Sequence, residues 1–173
     1  MNYRRIIITG PECSGKSSLC KYLSVQFGLN HLDELSIQYL NNVQRSYDFF
    51  DLKQIAVVQN QMENNAINSS DSVLICDTSF LVLYIWSSVR FGKVDPFITD
   101  GLKERQSELF LLCKPDLNWE AGPYRENPND RNYLFKQYLE WLIENECEFF
   151  IIQGEGSARN LLSRLIVNHK INN

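Results

Sequence analysis

The stretch GPECSGKS, from Gly10 to Ser17, constrains this chain more than any other feature. Its two glycines, its lysine and its final hydroxyl have the spacing of a phosphate-binding P-loop. The apolar run IIIT predicts a buried strand at 3–9 before the loop, and an apolar face at 17–27 predicts a helix after it. A loop rich in backbone N–H groups at a helix N-terminus favours polyanions, so the sequence predicts a site for ATP or GTP.

The residues of this loop have different expected roles. The Lys16 ammonium is expected to reach the β- and γ-phosphates, and the Ser17 hydroxyl is expected to complete a Mg²⁺ site. The residues expected to surround the nucleotide are Gly10, Pro11, Glu12, Cys13, Ser14, Gly15, Lys16, Ser17 and Ser18.

The rest of the composition is that of an ordinary globular chain. Its 173 residues, 44% of them hydrophobic, are enough for one domain over residues 1–173. A net charge of −4 gives no general attraction to nucleic acid. The five cysteines form no C-x-x-C pair, and with two histidines they predict reduced thiols in a cytoplasmic protein rather than a metal cluster. Neither a signal peptide nor a membrane-spanning segment is expected.

Apolar segments and helical patterns alternate along the chain. Strands are predicted at 3–9, 30–33, 72–76, 108–113 and 148–153. Helices are predicted at 17–27, after a cap at Asp51, at 79–91 with a stop at Gly92, at 130–146 and at 157–169. This alternation predicts a doubly wound α/β fold with a parallel sheet and helices on both faces. Ligands bind at the carboxyl ends of the strands in such a fold.

Carboxylates follow two of the predicted strands. Asp77 ends the run VLICD and is expected either to organise Mg²⁺ or to cap the following helix. Asp33 and Glu34 end the short second strand, where either is a candidate to orient an attacking hydroxyl and accept its proton. The alternative for this pair is a solvated acidic turn.

A polar loop rich in Pro, Gly and Asn follows the fourth strand at 118–131, and we refer to it as the lid loop. It carries Arg125 and Arg131. Closure of such a loop over a P-loop would exclude water and bring guanidinium charge to the transferring phosphoryl group. The alternative is a surface loop whose arginines pair with Glu126 and Asp130.

Flat rings have separate candidate partners. The stretch QGEGSAR at 153–159 follows the last strand, where a backbone loop commonly holds a nucleotide base, and Arg159 is a candidate to stack on that base. The aromatic residues nearest the loops are Tyr47, Phe49, Trp86, Trp119 and Tyr124, and the two tryptophans are the candidates for stacking on a substrate. The chain has neither an NKxD motif for guanine nor an HxGH motif for adenylyl transfer.

Several segments together resemble the kinase domain of NadR-type proteins, the nicotinamide riboside kinases. The matching stretches are GPECSGKSSL, DEL, YDFFDLKQIAVVQNQMENNA, VLICDTS, IWSSVRFG, LFLLCKPDLNWE, YRENPNDR and IIQGEGSAR, and they cover nearly the whole chain. The resemblance implies a strand order of 2-3-1-4-5 and ATP-dependent phosphorylation of the 5′-hydroxyl of nicotinamide riboside. It also favours Glu34 over Asp33 beside the attacking hydroxyl.

The family pattern is less complete around the acceptor than around the nucleotide. The family carries an Arg-Glu pair where this chain has Ile37 and Gln38, and an acid where it has Ser79. It carries a proline at the position of Asn118 and an acid at the position of Gly122. Three functions therefore stay open. They are a kinase of nicotinamide riboside or a related nucleoside, a kinase of another small metabolite, and a nucleotide-binding regulatory module with weak hydrolytic activity whose protein partner the sequence does not identify.

Overall fold

A parallel sheet of five strands lies at the centre of the computed structural model, which describes residues 3–70 and 72–172. The elements in chain order are β1 (Arg5–Thr9), α1 (Lys16–Phe27), β2 (His31–Leu32), α2 (Leu35–Asn42), α3 (Phe49–Asn68), β3 (Leu74–Asp77), α4 (Phe80–Phe91), α5 (Pro96–Lys103), β4 (Leu109–Cys113), α6 (Arg131–Glu144), β5 (Glu148–Ile152) and α7 (Gly156–Asn172). The strand order is β2-β3-β1-β4-β5. The predicted α/β class and the order 2-3-1-4-5 are confirmed.

Both faces of the sheet are buried, which explains the continuous apolar residues Ile6–Ile8 of β1 and Leu109–Cys113 of β4. Along β1, Ile6 and Ile8 point to one face and Ile7 points to the other, as the alternation of side chains in a strand requires. The face of Ile7 packs against α3, α4, α5 and α6, whereas α1 and α7 cover the face of Ile6 and Ile8.

The register of the strands brings several loops to one edge of the sheet. Ile8 of β1 lies opposite Asp77 of β3 and Leu111 of β4. Because the strands are parallel, the loop after β1, the end of β3 and the loop after β4 all leave the sheet at its carboxyl edge. This edge is the one where ligands bind in doubly wound folds.

The boundaries of α1, α4, α6 and α7 agree with the sequence-based expectation within three residues, whereas α2 and α5 were not predicted. The prediction that Asp51 caps α3 is wrong, because Asp48 is the N-cap and accepts the N–H groups of Phe50 and Asp51. The Asp51 carboxylate accepts the N–H of Asp48 in return, which completes a capping box. Gly92 ends α4 with a φ of 64°, as expected. Within the described residues, no helix combines the length and apolarity needed to cross a membrane.

A buried ion network fixes the turn between β3 and α4. Glu63 of α3 has no solvent exposure. Its carboxylate accepts hydrogen bonds of 2.8 to 3.0 Å from Arg5, Gln59, Ser79 and Arg105. The Ser79 hydroxyl, at the N-cap of α4, therefore serves as a donor to a buried carboxylate.

Candidate functional site

The segment between β1 and α1 forms a tight loop at the carboxyl edge of the sheet. Gly10 and Gly15 have φ angles of 132° and 77°, which residues with a side chain rarely adopt. A Cβ on Gly10 would also lie 2.5 Å from the carbonyl oxygen of Cys113, so β4 leaves no room for a larger residue. The spacing of the two glycines thus follows from the backbone geometry of the loop.

The loop presents donors toward its own concave side. The Lys16 ammonium donates a 2.7 Å hydrogen bond to the carbonyl oxygen of Pro11 and so lies across the loop. No side chain caps the N-terminus of α1. The first N–H groups of this helix and its positive dipole end therefore remain available to an anion.

Asp77 lies at the end of β3 with 1% of its surface exposed. Burial raises the pKa of this carboxyl to about 6; the Ser17 hydroxyl opposes the rise, and the charge of Glu34 adds to it. Its Oδ1 atom has no hydrogen-bond partner among the described residues. The alternative that Asp77 caps α4 is wrong, because the N-cap of that helix is Ser79.

These two side chains fit a Mg²⁺ ion bound together with a nucleotide. A buried carboxylate oxygen without a donor, near an exposed hydroxyl at Ser17, suits a hard cation. Within residues 3–70 and 72–172, no group of three or more His, Cys, Asp or Glu side chains is arranged to hold a metal. Mg²⁺ typically takes one or two protein ligands and completes its shell with phosphates and water, so this sparse donor set is adequate.

A cavity of about 300 Å³ extends from the P-loop to a space bounded by α2, α4, α6 and the lid loop. Its volume lies at the lower end of the range for small-molecule sites. Residues 10 to 18 all line the side of the cavity formed by the P-loop. The opposite side, which we call the acceptor side, is lined by Glu34, Ser36, Ile37, Val82, Ile85, Trp86, Val89, Pro123, Tyr124, Arg125, Glu126, Asn127, Leu134 and Tyr138.

The two candidate carboxylates after β2 face different surroundings. Glu34 lines the cavity and accepts a hydrogen bond from the Ser36 hydroxyl. Asp33 is exposed and lies 3.9 Å from the ammonium of Lys21 and 3.7 Å from the ring of His31. Asp33 does not line the cavity. Of these two carboxylates, Glu34 is therefore the one that lines the cavity.

The arginines of the lid loop do not form the surface ion pairs considered above. Arg125 lines the cavity and donates to the carbonyl oxygen of Glu120 at 2.8 Å. Arg131 begins α6 and donates to the carbonyl oxygens of Leu117 at 2.9 Å and Cys13 at 3.3 Å. Within the described part of the chain, neither arginine pairs with the acids at 126 and 130. Arg125 faces the cavity, whereas Arg131 ties the lid loop to the P-loop.

Aromatic side chains form one wall of the cavity. Trp86 of α4 lines it and donates from Nε1 to the hydroxyl of Tyr47 at 3.1 Å. That hydroxyl donates in turn to Glu126 of the lid loop at 2.9 Å. Tyr124 also lines the cavity, while Phe49 packs against Phe91 with ring centroids 5.9 Å apart. Of the aromatic residues considered in the sequence analysis, Trp86 and Tyr124 line the cavity, and Tyr138 of α6 lines it as well.

Two sequence-based assignments are wrong in the structure. The side chain of Arg159 is 5% exposed, is paired with Asp116 at 2.9 Å and donates to the carbonyl oxygen of Ser14, so it is not free to stack on a base. Trp119 does not line the cavity, because its Nε1 donates to the Glu12 carboxylate at 3.0 Å. Arg159 instead stabilises the P-loop through its hydrogen bond to Ser14, and Trp119 contacts Glu12 of the same loop.

The departures from the family pattern lie mostly outside the cavity. Of the five positions, Ile37 alone lines it. Gln38 and Asn118 are exposed, Ser79 belongs to the Glu63 network, and Gly122 lies against the Arg125 side chain.

Sequence reasoning missed much of the acceptor side of the cavity. The missed lining residues include Ser36, Val82, Ile85, Val89, Leu134 and Tyr138. Most of them lie on α4 and α6, whose apolar faces were indistinguishable from core in the sequence. For Ser36 and Val82 the available signal was a position within five residues of a strand end, whereas Leu134 and Tyr138 lie more than 20 positions after β4.

A family model described as an AAA domain matches residues 5–159, from the start of β1 to Arg159.

Solved structures with the same fold include several nucleotide-binding proteins. A NadR protein in complex with NR superposes with a TM-score of 0.79 at 14% identity, covering 97% of this chain and 51% of that chain. Deoxyadenosine kinase from M. mycoides with bound dCTP has a TM-score of 0.65 at 15% identity, covering 95% and 99%. Shikimate kinase from Aquifex aeolicus has a TM-score of 0.54 at 16% identity, covering 97% of each chain. The chain spans about half the length of the NadR chains. The likeness to NadR is thus confirmed for the fold.

Proposed function

Since the chain belongs to the AAA domain family, we propose that it is an ATP-dependent kinase of a small nucleoside-like molecule, with nicotinamide riboside as the expected acceptor. One observation carries the proposal: the P-loop and Glu34 line the same cavity, so a bound triphosphate and a bound hydroxyl would meet inside it. Phosphoryl transfer needs this arrangement, because most of its catalysis is positioning and charge stabilisation.

The nucleotide half of the cavity supplies donors for the phosphates. Lys16 exchanges its bond to the Pro11 carbonyl for the β- and γ-phosphate oxygens, and the uncapped N-terminus of α1 donates its N–H groups. Ser17 and Asp77 would hold Mg²⁺, and the bound ion would neutralise phosphate charge. Arg125, on the cavity side of the lid loop, is the guanidinium placed to approach the transferring group.

On the acceptor side, Glu34 orients the attacking hydroxyl and accepts its proton as transfer proceeds. The Ser36 hydroxyl donates to the Glu34 carboxylate and so restricts its rotamer. A fixed carboxylate lowers the entropy cost of aligning the acceptor for in-line attack.

The lining of the acceptor side favours a flat, apolar-faced molecule over an organic acid. Trp86 and Tyr124 offer ring faces or edges, and the remaining wall is largely aliphatic. The ionised groups here are two carboxylates, Glu34 and Glu126, and one guanidinium, Arg125. A carboxylate on the acceptor would be repelled by this balance. Deoxyadenosine kinase therefore offers a closer chemical precedent among the structural neighbours than shikimate kinase does.

Paired substitutions at adjacent acids test this proposal. Glu34→Gln keeps the size and hydrogen-bonding capacity of the side chain but removes the base, so we expect acceptor phosphorylation to fall by about 10²-fold or more. Asp33→Asn is the matched control, because Asp33 is exposed and outside the cavity. Acceptor-stimulated ATP consumption should separate the two variants. Equal activity of both variants, at the wild-type rate, would contradict the assigned role of Glu34.

A further inference from the structure

A carboxylate in the P-loop itself is directed at the lid loop. Oε1 of Glu12 accepts the Trp119 indole N–H at 3.0 Å and the backbone N–H of Asn127 at 2.8 Å. Oε2 accepts the backbone N–H of Glu126 at 3.0 Å. All three donors belong to the lid loop, and all three bonds have normal hydrogen-bond lengths.

Phosphate binding does not explain why the P-loop carries an acidic side chain at position 12. A negative side chain beside bound triphosphate would repel it, whereas a carboxylate that accepts several N–H groups has its charge satisfied elsewhere. The backbone supports the second arrangement. Cys13 takes a left-handed φ of 52°, and its thiol lies 3.5 Å from the backbone N and O of Glu120. Two consecutive residues of the P-loop, Glu12 and Cys13, therefore contact the lid loop.

The same stretch of lid loop continues into the acceptor pocket. Glu126, whose N–H is held by Glu12, accepts the hydroxyl of Tyr47 with its side chain. Tyr47 accepts in turn from Trp86, and these two rings are 5.1 Å apart. Hydrogen bonds to the backbone and to the side chain of Glu126 thus connect the P-loop to the aromatic wall of the acceptor side.

We propose that Glu12 is a positioning residue that holds the lid loop over the acceptor side of the cavity and links acceptor binding to the nucleotide loop. The backbone of Glu12 contributes to phosphate binding, and its side chain binds the lid loop. The kinetic part of this inference rests on the proposed kinase function, whereas the structural part does not. Loss of the carboxylate leaves the lid loop less ordered. The acceptor must then order the pocket as it binds, which lowers its affinity.

Hydrogen–deuterium exchange on the full chain tests the structural part without an acceptor. Glu12→Gln places an amide NH₂ against a backbone N–H, and we expect exchange at 126 and 127 to rise by about tenfold or more, the scale of one hydrogen bond to a charged group. Trp119→Phe removes one donor and keeps the ring shape, so it should produce a smaller rise in the same segment. Glu120→Gln is the control, because the Glu120 side chain is 81% exposed and makes none of these bonds; its carboxylate lies 4.0 Å from Nη1 of Arg125.

The kinetic arm separates positioning from nucleotide binding. For Glu12→Gln we expect the acceptor KM to rise about tenfold while the Kd for Mg-ATP changes less than about threefold. If no acceptor is phosphorylated by the wild type, the kinase proposal fails, but the exchange result still decides the role of Glu12. Unchanged exchange at 126 and 127 in a folded Glu12→Gln variant would overturn the inference. So would a loss of Mg-ATP affinity without a change in acceptor KM.

Discussion

Replacing Ser79 with aspartate, the residue of the family pattern, tests how the structure assigns this position. Its hydroxyl donates to Oε1 of Glu63 at 3.0 Å, and both residues are buried. Ser79→Asp places a second carboxylate against a buried carboxylate. The Arg5 and Arg105 guanidiniums already bind Glu63, so they balance only part of the added charge.

The size of the effect follows from the contact distance. Two unit charges about 4 Å apart repel by about 4 kcal/mol at an effective dielectric constant of about 20, and the guanidiniums reduce this value. The variant also loses a donor to an ionised group, which contributes about 1.5 kcal/mol. We expect Ser79→Asp to lower the free energy of unfolding by about 3 kcal/mol at pH 8, which corresponds to a fall in Tm of roughly 10 °C for a chain of this length.

Urea unfolding at two pH values isolates the charge. Ser79→Asn is the control, since its side chain matches aspartate in size and can still donate to Glu63. The introduced aspartate has a folded-state pKa above its unfolded value of about 3.9, so its penalty is present at high pH and disappears as pH falls below that value. The Asp and Asn variants should therefore differ at pH 8 and converge near pH 4. Identical unfolding midpoints at pH 8 would refute the assignment of Ser79 to the ion network.

Three other variants test the nucleotide side and the lid. Lys16→Ala should abolish turnover and weaken Mg-ATP binding in calorimetry with little change in Tm, because the Lys16 ammonium donates its hydrogen bond to Pro11 of its own loop; full binding would contradict this. Burial raises the Asp77 pKa to about 6, so its ionisation destabilises the nucleotide-free protein as pH rises from about 4 through 6. Asp77→Asn should stabilise that form by about 3 kcal/mol at pH 8 in urea unfolding, with no gain at pH 4, and abolish Mg²⁺-dependent turnover; retained turnover would exclude a metal role. Arg125→Ala should lower kcat more than ATP affinity, and a loss confined to affinity would make it a ground-state contact.

The sequence was sufficient for the P-loop and the edge of the sheet. Glycine at 10 and 15 is required by local backbone geometry, and the lysine and hydroxyl that follow are fixed to the first turn of α1. The position of Asp77 could be predicted for a related reason, because a carboxylate that ends a buried parallel strand must emerge at the carboxyl edge. Local pattern and fold topology agree at these sites.

The errors at Arg159 and Trp119 share a cause, which is that side-chain direction depends on partners distant in sequence. Arg159 looked like a base-stacking residue, but it pairs with Asp116, 43 positions away. Trp119 looked like a ring for the substrate, but it donates to Glu12, 107 positions away. No pattern within either segment contains that information.

Short helices were the other omission. The helices α2 and α5 have only eight residues each, and an isolated helix of that length is unstable in water. Tertiary packing stabilises them: Leu40 of α2 and Ile98 of α5 are both buried in the core that covers one face of the sheet. Missing α2 also concealed that Ile37 faces the cavity.

The central claim is that this chain transfers the γ-phosphoryl group of ATP to a nucleoside-like hydroxyl. Its most direct test is mass spectrometric detection of products after incubation with Mg-ATP and, separately, nicotinamide riboside, deoxyadenosine, shikimate or no acceptor. The account predicts a nucleoside monophosphate that is absent without acceptor, with nicotinamide riboside the best substrate and no shikimate product. ATP consumption at one rate in every reaction, with no phosphorylated acceptor, would contradict the claim and favour a nucleotide-hydrolysing module instead.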